Sequence, residues 1–339
     1  MTLHTLVTDT PFLFEAGGSL DSITVAYHCS DTPYTPDKKV VWICHALTAN
    51  SDPQEWWPGL VGEGKTLDPD KYFIVCVNML TSPYGSSGPA SINPATGKPF
   101  YFDFPQTTIR DMINASILVR KALGIEAIDL LVGSSIGGFQ AGEWCIMEPD
   151  VIKNALILAT SMRETPWLGA SCETQRMALE ADPTFREAKS LQGGALGLEC
   201  ARAQALMSYR CFTGYQLSQE EQDVDCLFSG RAASYQKYQG HKLVRRGFDA
   251  YSYYYLCQAL DSHNVGRGRG GVEKAISTIK SRCIVGVIDS DVLFPVEDYN
   301  LWKDYFIGAE QVTLTSLYGH DGFLLEYDQL IPLVEKLLK

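Results

Sequence analysis

The sequence predicts an α/β protein with a mostly parallel β-sheet, helices on both faces of the sheet and an inserted helical region. Three observations support this prediction. Short apolar runs rich in β-branched residues recur along the chain, and several are apolar at consecutive positions, as in strands buried on both faces. Helical patterns separate these runs. The strand pattern then disappears between about residues 164 and 274.

Runs bounded by turn residues are predicted as strands, and longer periodic patterns are predicted as helices. The predicted strands span residues 22–27, 39–44, 72–77, 127–132, 155–159 and 282–288. The predicted helices span residues 108–123, 137–147, 173–180, 197–209 and 251–260. Glu148-Pro149-Asp150 follows the second of these helices and is a stop signal, because proline cannot continue a helix.

The order of these elements predicts two structural units. Residues 1–163 and 275–339 form the sheet domain, and residues 164–274 form a helical cap inserted into it. Because the strand pattern resumes at residue 282, the insertion leaves and rejoins one sheet. We expect the cap to cover the end of the sheet where open α/β sheets bind their ligands.

Composition excludes several classes of function. The chain of 339 residues carries 28 Lys and Arg against 40 Asp and Glu, a formal net charge of −12. This charge opposes binding to nucleic acid or to an anionic membrane, so we expect neither partner. The Arg-Gly run at residues 266–271 has two interpretations, a nucleic-acid patch or a turn-forming loop, and the net charge favours the loop.

The first residues lack a positively charged start followed by an apolar block, so no signal peptide is expected. No apolar run reaches the ~18 residues expected of a membrane-spanning helix. The ten cysteines are scattered and include no Cys-x-x-Cys pair and no zinc-ligand spacing. These patterns predict a cytoplasmic protein with reduced cysteines and no metal site.

The strongest chemical motif is Gly-x-Ser-x-Gly at residues 133–137, between a predicted strand and a predicted helix. A serine on such a tight turn projects its hydroxyl above the sheet. Gly133 and Gly137 would let the strand and the helix approach closely. The free N–H groups at the start of the helix could hold a developing negative charge. We therefore predict that Ser135 is a nucleophile.

A serine nucleophile needs a histidine base and an orienting carboxylate, which on such sheets follow the serine in the order Asp, His. His320 is the only one of six histidines that follows the last predicted strand. That strand ends at Asp289-Ser290-Asp291, so the spacing leaves both aspartates as candidates.

His45 follows another predicted strand and has two possible roles. A Cys44–His45 dyad is disfavoured, because adjacent side chains on a strand point to opposite faces. The loop after this strand instead normally supplies one N–H group of an oxyanion hole. We predict that Leu47 supplies this group and that Ile136, directly after the nucleophile, supplies the second.

Further segments accompany these motifs. They are His45-Ala46-Leu47-Thr48, Tyr84-Gly85-Ser86-Ser87-Gly88-Pro89, Ser91-Ile92-Asn93-Pro94, Thr108-Ile109-Arg110-Asp111-Met112, Gln175-Arg176-Met177-Ala178, Asp289-Ser290-Asp291-Val292-Leu293-Phe294-Pro295 and Gly319-His320-Asp321. Together with the serine motif they resemble the homoserine O-acyltransferases of methionine biosynthesis, which have the α/β-hydrolase fold. The resemblance extends over nearly the whole chain, and an ordinary esterase would share only the serine motif.

The resemblance implies a role for each matching residue. Ser135 corresponds to the nucleophile, His320 to the base and Asp291, rather than Asp289, to its orienting carboxylate. Arg202 on a cap helix corresponds to the residue that binds the homoserine carboxylate, and Asp321 to the residue that binds its ammonium group. The resemblance also places Tyr209 among the substrate-binding residues; it lies two helical turns after Arg202, on the same face.

The resemblance also implies L-homoserine and acetyl-CoA as substrates, with acetyl-CoA as a co-substrate and no cofactor or metal. It implies a homodimer formed through the cap. The serine motif departs from the family's Gly-Gly-Ser-Met-Gly-Gly, because this chain has Ser134 and Ile136. This departure changes the predicted acyl pocket, so succinyl-CoA stays open as the donor. Three further alternatives stay open: L-serine as acceptor, a serine hydrolase or esterase, and a binding protein without activity.

Overall fold

The computed structural model describes residues 1–228 and 230–339. The strands are β1 (Thr2–Val7), β2 (Phe12–Leu13), β3 (Ser19–Leu20), β4 (Thr24–Cys29), β5 (Val40–Cys44), β6 (Phe73–Val77), β7 (Ile92–Asn93), β8 (Lys98–Pro99), β9 (Leu130–Ser134), β10 (Asn154–Leu158), β11 (Arg282–Ile288) and β12 (Glu310–Leu314). The α-helices are α1 (Pro53–Trp56), α2 (Ile109–Ala122), α3 (Ile136–Met147), α4 (Pro166–Glu180), α5 (Pro183–Glu187), α6 (Ala195–Tyr209), α7 (Phe212–Gln219), α8 (Arg231–Arg245), α9 (Ala250–Asp261), α10 (Val272–Ile276), α11 (Val296–Trp302), α12 (Gly322–Leu325) and α13 (Tyr327–Leu338). Short 3-10 helices occur at Tyr101–Asp103, Lys303–Tyr305 and Gly319–Asp321.

The central sheet has eight strands in the order β1-β4-β6-β5-β9-β10-β11-β12. All pairs from β6 to β12 are parallel, and β1 and β4 add an antiparallel edge. The predicted α/β class with a mostly parallel sheet is confirmed. Strands β5, β6 and β9 are buried at every position, because helices cover both faces of the sheet.

Two apolar cores lie on opposite faces of the sheet. The larger contains the buried sides of α2, α3 and α9, and the smaller contains α13 with the segment after α1. Trp42 of β5 packs edge-on against Trp144 of α3 with ring centres 5.0 Å apart, which joins the sheet to its central helix. No helix of the described residues has the length and the apolar character needed to cross a bilayer.

The helix starts follow from local sequence. Thr108 and Asp111 form a reciprocal capping box at α2, in which the Asp111 carboxylate accepts a hydrogen bond of 2.8 Å from the Thr108 N–H. At α4 the Thr165 hydroxyl accepts from the Leu168 N–H, and Pro166 occupies the first helical position. These caps satisfy N–H groups that would otherwise lack partners.

The segment between β10 and β11 carries helices α4 to α10 and, in its described residues, no strand. The chain leaves and re-enters the sheet domain side by side, at an antiparallel bridge between Arg163 and Asn264. The exit point adjoins the predicted boundary at residue 164. The return point lies before the predicted boundary at residue 275.

Some predicted strand positions were wrong. The strand predicted at 127–132 is β9, which begins at Leu130 and continues to Ser134 because Gly133 and Ser134 pair with Cys44 and Leu158. Edge strands β1 and β12 were not predicted. Their side chains are largely exposed, so neither carries the continuous apolar run of a buried strand.

Candidate active site

Ser135 lies at the sharp turn between β9 and α3 with φ +59° and ψ −132°, in a region that side-chain-bearing residues rarely adopt. The flanking glycines make this turn possible. A Cβ atom added at Gly133 would lie 2.0 Å from the Gly137 carbonyl oxygen, and one added at Gly137 would lie 2.2 Å from the Cys44 carbonyl oxygen. The close approach predicted from the motif is therefore present.

The end of β10 fixes the backbone of this turn. The Ser135 N–H donates to the Ala159 carbonyl at 3.1 Å, and the Thr160 hydroxyl donates to the Ser135 carbonyl at 2.7 Å. A Cβ atom at Gly138 would lie 2.5 Å from that of Thr160, so glycine is required there too. The Ser135 side chain is thereby held at the carboxyl edge of the sheet.

Asp291 and His320 form a buried pair on the two neighbouring loops. His320 Nδ1 donates to Asp291 Oδ2 at 2.7 Å. Asp291 Oδ1 accepts from the N–H groups of Leu293 and Phe294 at 2.8 and 2.9 Å, which fixes the carboxylate. Asp289 instead is exposed, and its carboxylate accepts from the Ser316 N–H at 3.1 Å. The geometry therefore pairs His320 with Asp291 and not with Asp289.

The environment of His320 suits a general base. Burial lowers the pKa of the imidazole, but the charge and the hydrogen bond of Asp291, together with the charge of Asp321, raise it more, so the pKa lies above its ordinary value. The Nε2 atom is buried and has no hydrogen-bond partner among the described residues. Because Nδ1 carries the proton shared with Asp291, Nε2 can accept one.

A cavity of about 190 Å³ joins these residues below the helical insertion. Ser135 and His320 both line it, as do the predicted Leu47, Arg202, Tyr209 and Asp321. Trp56 and Arg246 line it as well and were not predicted. Their proximity depends on where α1 and α8 pack, which no local motif indicates.

The two predicted oxyanion donors lie on different segments: Leu47 lines the cavity, and Ile136 directly follows the nucleophile but does not line the cavity. Leu47 lies in the loop after β5, and Ile136 is the first residue of α3. Within residues 1–228 and 230–339, neither N–H group has a hydrogen-bond acceptor. The Ile136 N–H is free because the first N–H groups of a helix have no preceding helical carbonyl as a partner. Both groups are available to a negatively charged oxygen.

His45 has a structural role. Its Nδ1 donates to the Ala46 carbonyl at 2.9 Å, and its Nε2 accepts from the Met79 N–H at 3.1 Å. Burial lowers the pKa of His45 to about 4, and burial raises the pKa of the Cys44 thiol. A neutral imidazole with both nitrogens occupied cannot activate an un-ionised thiol. His45 instead ties the Leu47 loop to the loop after β6.

Arg202 and Tyr209 lie together on α6. The Arg202 guanidinium carbon is 5.0 Å from the centre of the Tyr209 ring, a cation–π contact. Burial raises the pKa of Tyr209 to about 12, so the phenol keeps its proton at neutral pH. Arg202 forms no ion pair with another described residue. Its charge is therefore free for a ligand.

Asp321 follows His320 and has an ion-pair partner that was not predicted. Its Oδ2 lies 3.2 Å from Arg210 Nη2, one residue beyond the end of α6. Burial raises the pKa of the Asp321 carboxyl, while Arg210, His320 and Arg202 oppose this shift. A helix-terminal arginine carries no local signal for such a pairing, because it joins two distant parts of the chain.

The Arg-Gly run forms a loop that is bound to the sheet domain. Arg267 pairs with Glu15 at 2.8 Å, and Arg269 pairs with the buried Glu143 of α3. Arg110 of α2 also reaches Glu143, at 2.9 Å. Both arginines of the run are therefore paired with carboxylates of the same chain. No group of three potential metal-binding side chains occurs among the described residues.

Comparisons with known proteins agree with this arrangement. A family model described as alpha/beta hydrolase fold matches residues 39–327. The homoserine O-acetyltransferase of Cyclobacterium marinum is 41% identical over 319 residues, which cover 93% of this chain and 89% of that relative.

Solved structures show a similar fold. A homoserine O-acetyltransferase from Bacillus anthracis has a TM-score of 0.88 at 22% identity and covers 100% of this chain and 97% of its own. Esterase E22 has a TM-score of 0.87 at 20% identity, with both chains fully covered. The fold is therefore shared by a transferase and an esterase, and at these identities it does not distinguish them.

Proposed function

This chain belongs to the homoserine O-acetyltransferase family of α/β-hydrolase-fold proteins, and we propose that it transfers an acetyl group to the side-chain hydroxyl of L-homoserine in methionine biosynthesis. The observation that carries the proposal is one cavity that contains a serine on a strained turn, a histidine paired with a buried carboxylate, and an unpaired arginine. An esterase needs only the first two of these features.

The proposed reaction has two acyl-transfer steps. His320 Nε2 takes the Ser135 proton as the hydroxyl oxygen attacks the thioester carbonyl, and the N–H groups of Leu47 and Ile136 hold the oxyanion. The carbon–sulfur bond breaks, the thiol leaves with the proton from His320, and an acetyl ester remains on Ser135. His320 then takes the proton of the homoserine hydroxyl. That oxygen attacks the ester, and Ser135 recovers its proton.

The acceptor is proposed to bind through its α-amino and α-carboxylate groups. Arg202 provides a cation for the carboxylate, and Asp321 provides an anion for the ammonium group. An unpaired arginine at a cavity of a protein with net charge −12 is a selective feature for an anionic ligand. L-Serine carries the same two groups on a shorter side chain, so it is the competing acceptor.

We propose acetyl-CoA as the donor, a co-substrate that needs no further cofactor. The exposed Arg246 at the end of α8 lines the same cavity and forms no ion pair with another described residue. Its guanidinium suits the phosphates of CoA. The thioester and the ten cysteines, all free, fit a reaction in the reducing cytoplasm.

Product analysis tests the function. The protein is offered homoserine or serine, each with acetyl-CoA or succinyl-CoA, and the products are identified by mass spectrometry. We expect O-acetylhomoserine to form fastest. Stopped-flow measurement of CoA release distinguishes a transferase from an esterase. A transferase releases CoA faster when homoserine is present, whereas an esterase does not. Turnover independent of acceptor would contradict the proposal.

Replacing Arg202 with alanine is expected to lower kcat/KM for homoserine, because the acceptor carboxylate loses a charge-assisted pair. The lower kcat/KM should correspond to a loss of about 2–4 kcal/mol of transition-state stabilisation. Lysine at this position should restore only part of the activity, since an ammonium cannot form two parallel hydrogen bonds. Arg245→Ala is the matched control, because Arg245 lies over the Tyr238 ring on the same cap, outside the cavity. Steady-state kinetics with varied homoserine measures the loss, and an unchanged kcat/KM would contradict it.

We further propose a homodimer formed through the cap. Large apolar side chains are exposed on α6, on α7 and in the segment after α7, and monomeric proteins rarely expose such clusters. They are Leu196, Met207, Phe212, Leu217, Val224, Leu227 and Phe228.

Light scattering after gel filtration should give twice the 37.5 kDa chain mass. Phe212→Ser together with Leu217→Ser should shift the protein toward monomer, because both exposed side chains lie on α7. Leu13→Ser, at an exposed position of the sheet domain, should not. A wild-type monomer at micromolar concentration would contradict this prediction.

A further inference from the structure

The junction between α6 and α7 packs directly on the turn that carries His320 and Asp321. Gly319 has φ +63°, and a Cβ atom there would lie 2.7 Å from the Arg210 carbonyl carbon and 2.8 Å from the Cys211 nitrogen. A Cβ atom at Gly214 would lie 2.2 Å from the Leu317 carbonyl oxygen. Glycines on both sides therefore allow backbone-to-backbone contact between the cap and this turn.

Polar contacts hold the same junction. Cys211 Sγ donates to the Leu317 carbonyl at 3.1 Å and caps α7 by accepting from the Gly214 N–H. The Arg210–Asp321 ion pair of 3.2 Å lies next to this contact. Backbone packing and the cysteine would keep the junction in place if the arginine side chain were removed. The ion pair is therefore not the only contact that docks the cap, which leaves it free to serve a second role.

The Asp321 carboxylate is partly withdrawn from water, with a side chain 20% exposed, and Arg210 is its one ion-pair partner among the described residues. Four charged or titratable groups act on it: Arg210 and Arg202 from α6 and its end, His320 from its own turn, and Asp291 from the loop after β11. Burial raises the pKa of the Asp321 carboxyl, and of these four groups Arg210 opposes that rise most strongly. Its contact uses Oδ2 and leaves Oδ1 without a partner in the part of the chain that the structure describes.

We propose that Arg210 is a positioning residue for amino-acid recognition, which holds the Asp321 carboxylate ionised and oriented so that Oδ1 can bind the α-ammonium group of the acceptor. The inference rests on the proposed function. Arg210 acts only through Asp321, whereas Arg202 contacts the acceptor itself. The selectivity of the site for amino acids over hydroxy acids then depends on a residue that lies outside the cavity lining.

The first test compares two acceptors, homoserine and 4-hydroxybutanoate, which is homoserine without its amino group. Arg210→Met should raise KM for homoserine about tenfold or more and change kcat by less than about threefold, because ground-state binding of the ammonium group is weakened. Arg210→Lys should restore part of the loss, since it keeps the charge. With 4-hydroxybutanoate, Arg210→Met and wild type should have the same kinetics.

A double-mutant cycle separates positioning from a structural role. In an Asp321→Asn protein, adding Arg210→Met should cause no further rise in KM, because the residue through which Arg210 acts is gone. Arg245→Met is the control for loss of a cap arginine and should behave as wild type in both backgrounds. Circular dichroism shows whether Arg210→Met is folded. If it is not, the same comparisons are made with Arg210→Lys.

The outcomes separate this inference from the proposed function. If wild type forms O-acetylhomoserine but Arg210→Met and Arg210→Lys leave KM unchanged, the inference alone is overturned. It is also overturned if the losses are equal for the two acceptors or add fully in the Asp321→Asn protein, since Arg210 would then act by docking the cap. A wild type that acetylates no amino acid overturns the proposed function and this inference with it.

Discussion

Ser135→Ala is expected to abolish acetyl transfer, with a loss in kcat on the order of 10⁶, because no other group in the cavity replaces the hydroxyl as nucleophile. The fold should persist. The Ser135 side chain makes no hydrogen bond with another described residue, and the turn is held by backbone contacts that alanine keeps. Thermal unfolding should therefore show little change while activity disappears.

The direct measurement is covalent labelling. Incubation with acetyl-CoA and no acceptor should add one acetyl group to the peptide that contains Ser135, and peptide mass spectrometry locates it. Ser134→Ala is a stringent control, because Ser134 is adjacent, also buried, and in the same peptide. It should retain the label. An acetyl group on a cysteine peptide, with Ser135→Ala still labelled, would contradict the assignment.

The parts of the site that the sequence predicts are those encoded by short motifs. Ser135 lies between glycines whose neighbours leave no room for a Cβ atom, so the motif itself specifies the turn. His320 could be chosen by its order in the chain. Asp289 and Asp291 could not be separated by spacing, because only the loop geometry decides which carboxylate reaches the imidazole.

Contacts between distant segments could not be predicted. Arg210 has the sequence context of an ordinary helix-terminal charge, and its partner Asp321 lies on another unit. Arg246 lines the cavity only because α8 packs above it. The edge strands β1 and β12 were missed for a different reason. Polar, exposed side chains give an edge strand no apolar signature, although every residue of β1 and β12 pairs with the one neighbouring strand.

The protonation chemistry of His320 leads to the second large effect. In wild type, Asp291 holds the Nδ1 proton and raises the pKa of the imidazole above its ordinary value. Below that pKa the base is protonated and cannot accept the proton of Ser135. The acid limb of the pH–rate profile should therefore lie above the ordinary histidine value, and activity should fall as the pH drops through it.

Asp291→Asn is expected to lower kcat by a factor on the order of 10⁴. The asparagine oxygen can still accept from the N–H groups of Leu293 and Phe294, so the loop should keep its shape. Its amide nitrogen then meets Nδ1 and stabilises the tautomer with the proton on Nε2, which cannot act as the base. Without the Asp291 carboxylate, burial lowers the pKa of the imidazole against only the smaller opposing effect of the Asp321 charge, so the acid limb of the residual activity should move to lower pH.

Asp289→Asn is the matched control, two residues away on the same loop. Its carboxylate is exposed and accepts a hydrogen bond from the Ser316 N–H, which an asparagine oxygen can also accept. Its kcat and its pH profile should therefore stay close to those of wild type. If Asp289→Asn were the inactive variant and Asp291→Asn nearly normal, the Asp291–His320 hydrogen bond would not be the one that orients the base. The pH profiles make the comparison independent of protein yield, because loss of the Asp291 carboxylate shifts the acid limb and a lower yield of active protein does not.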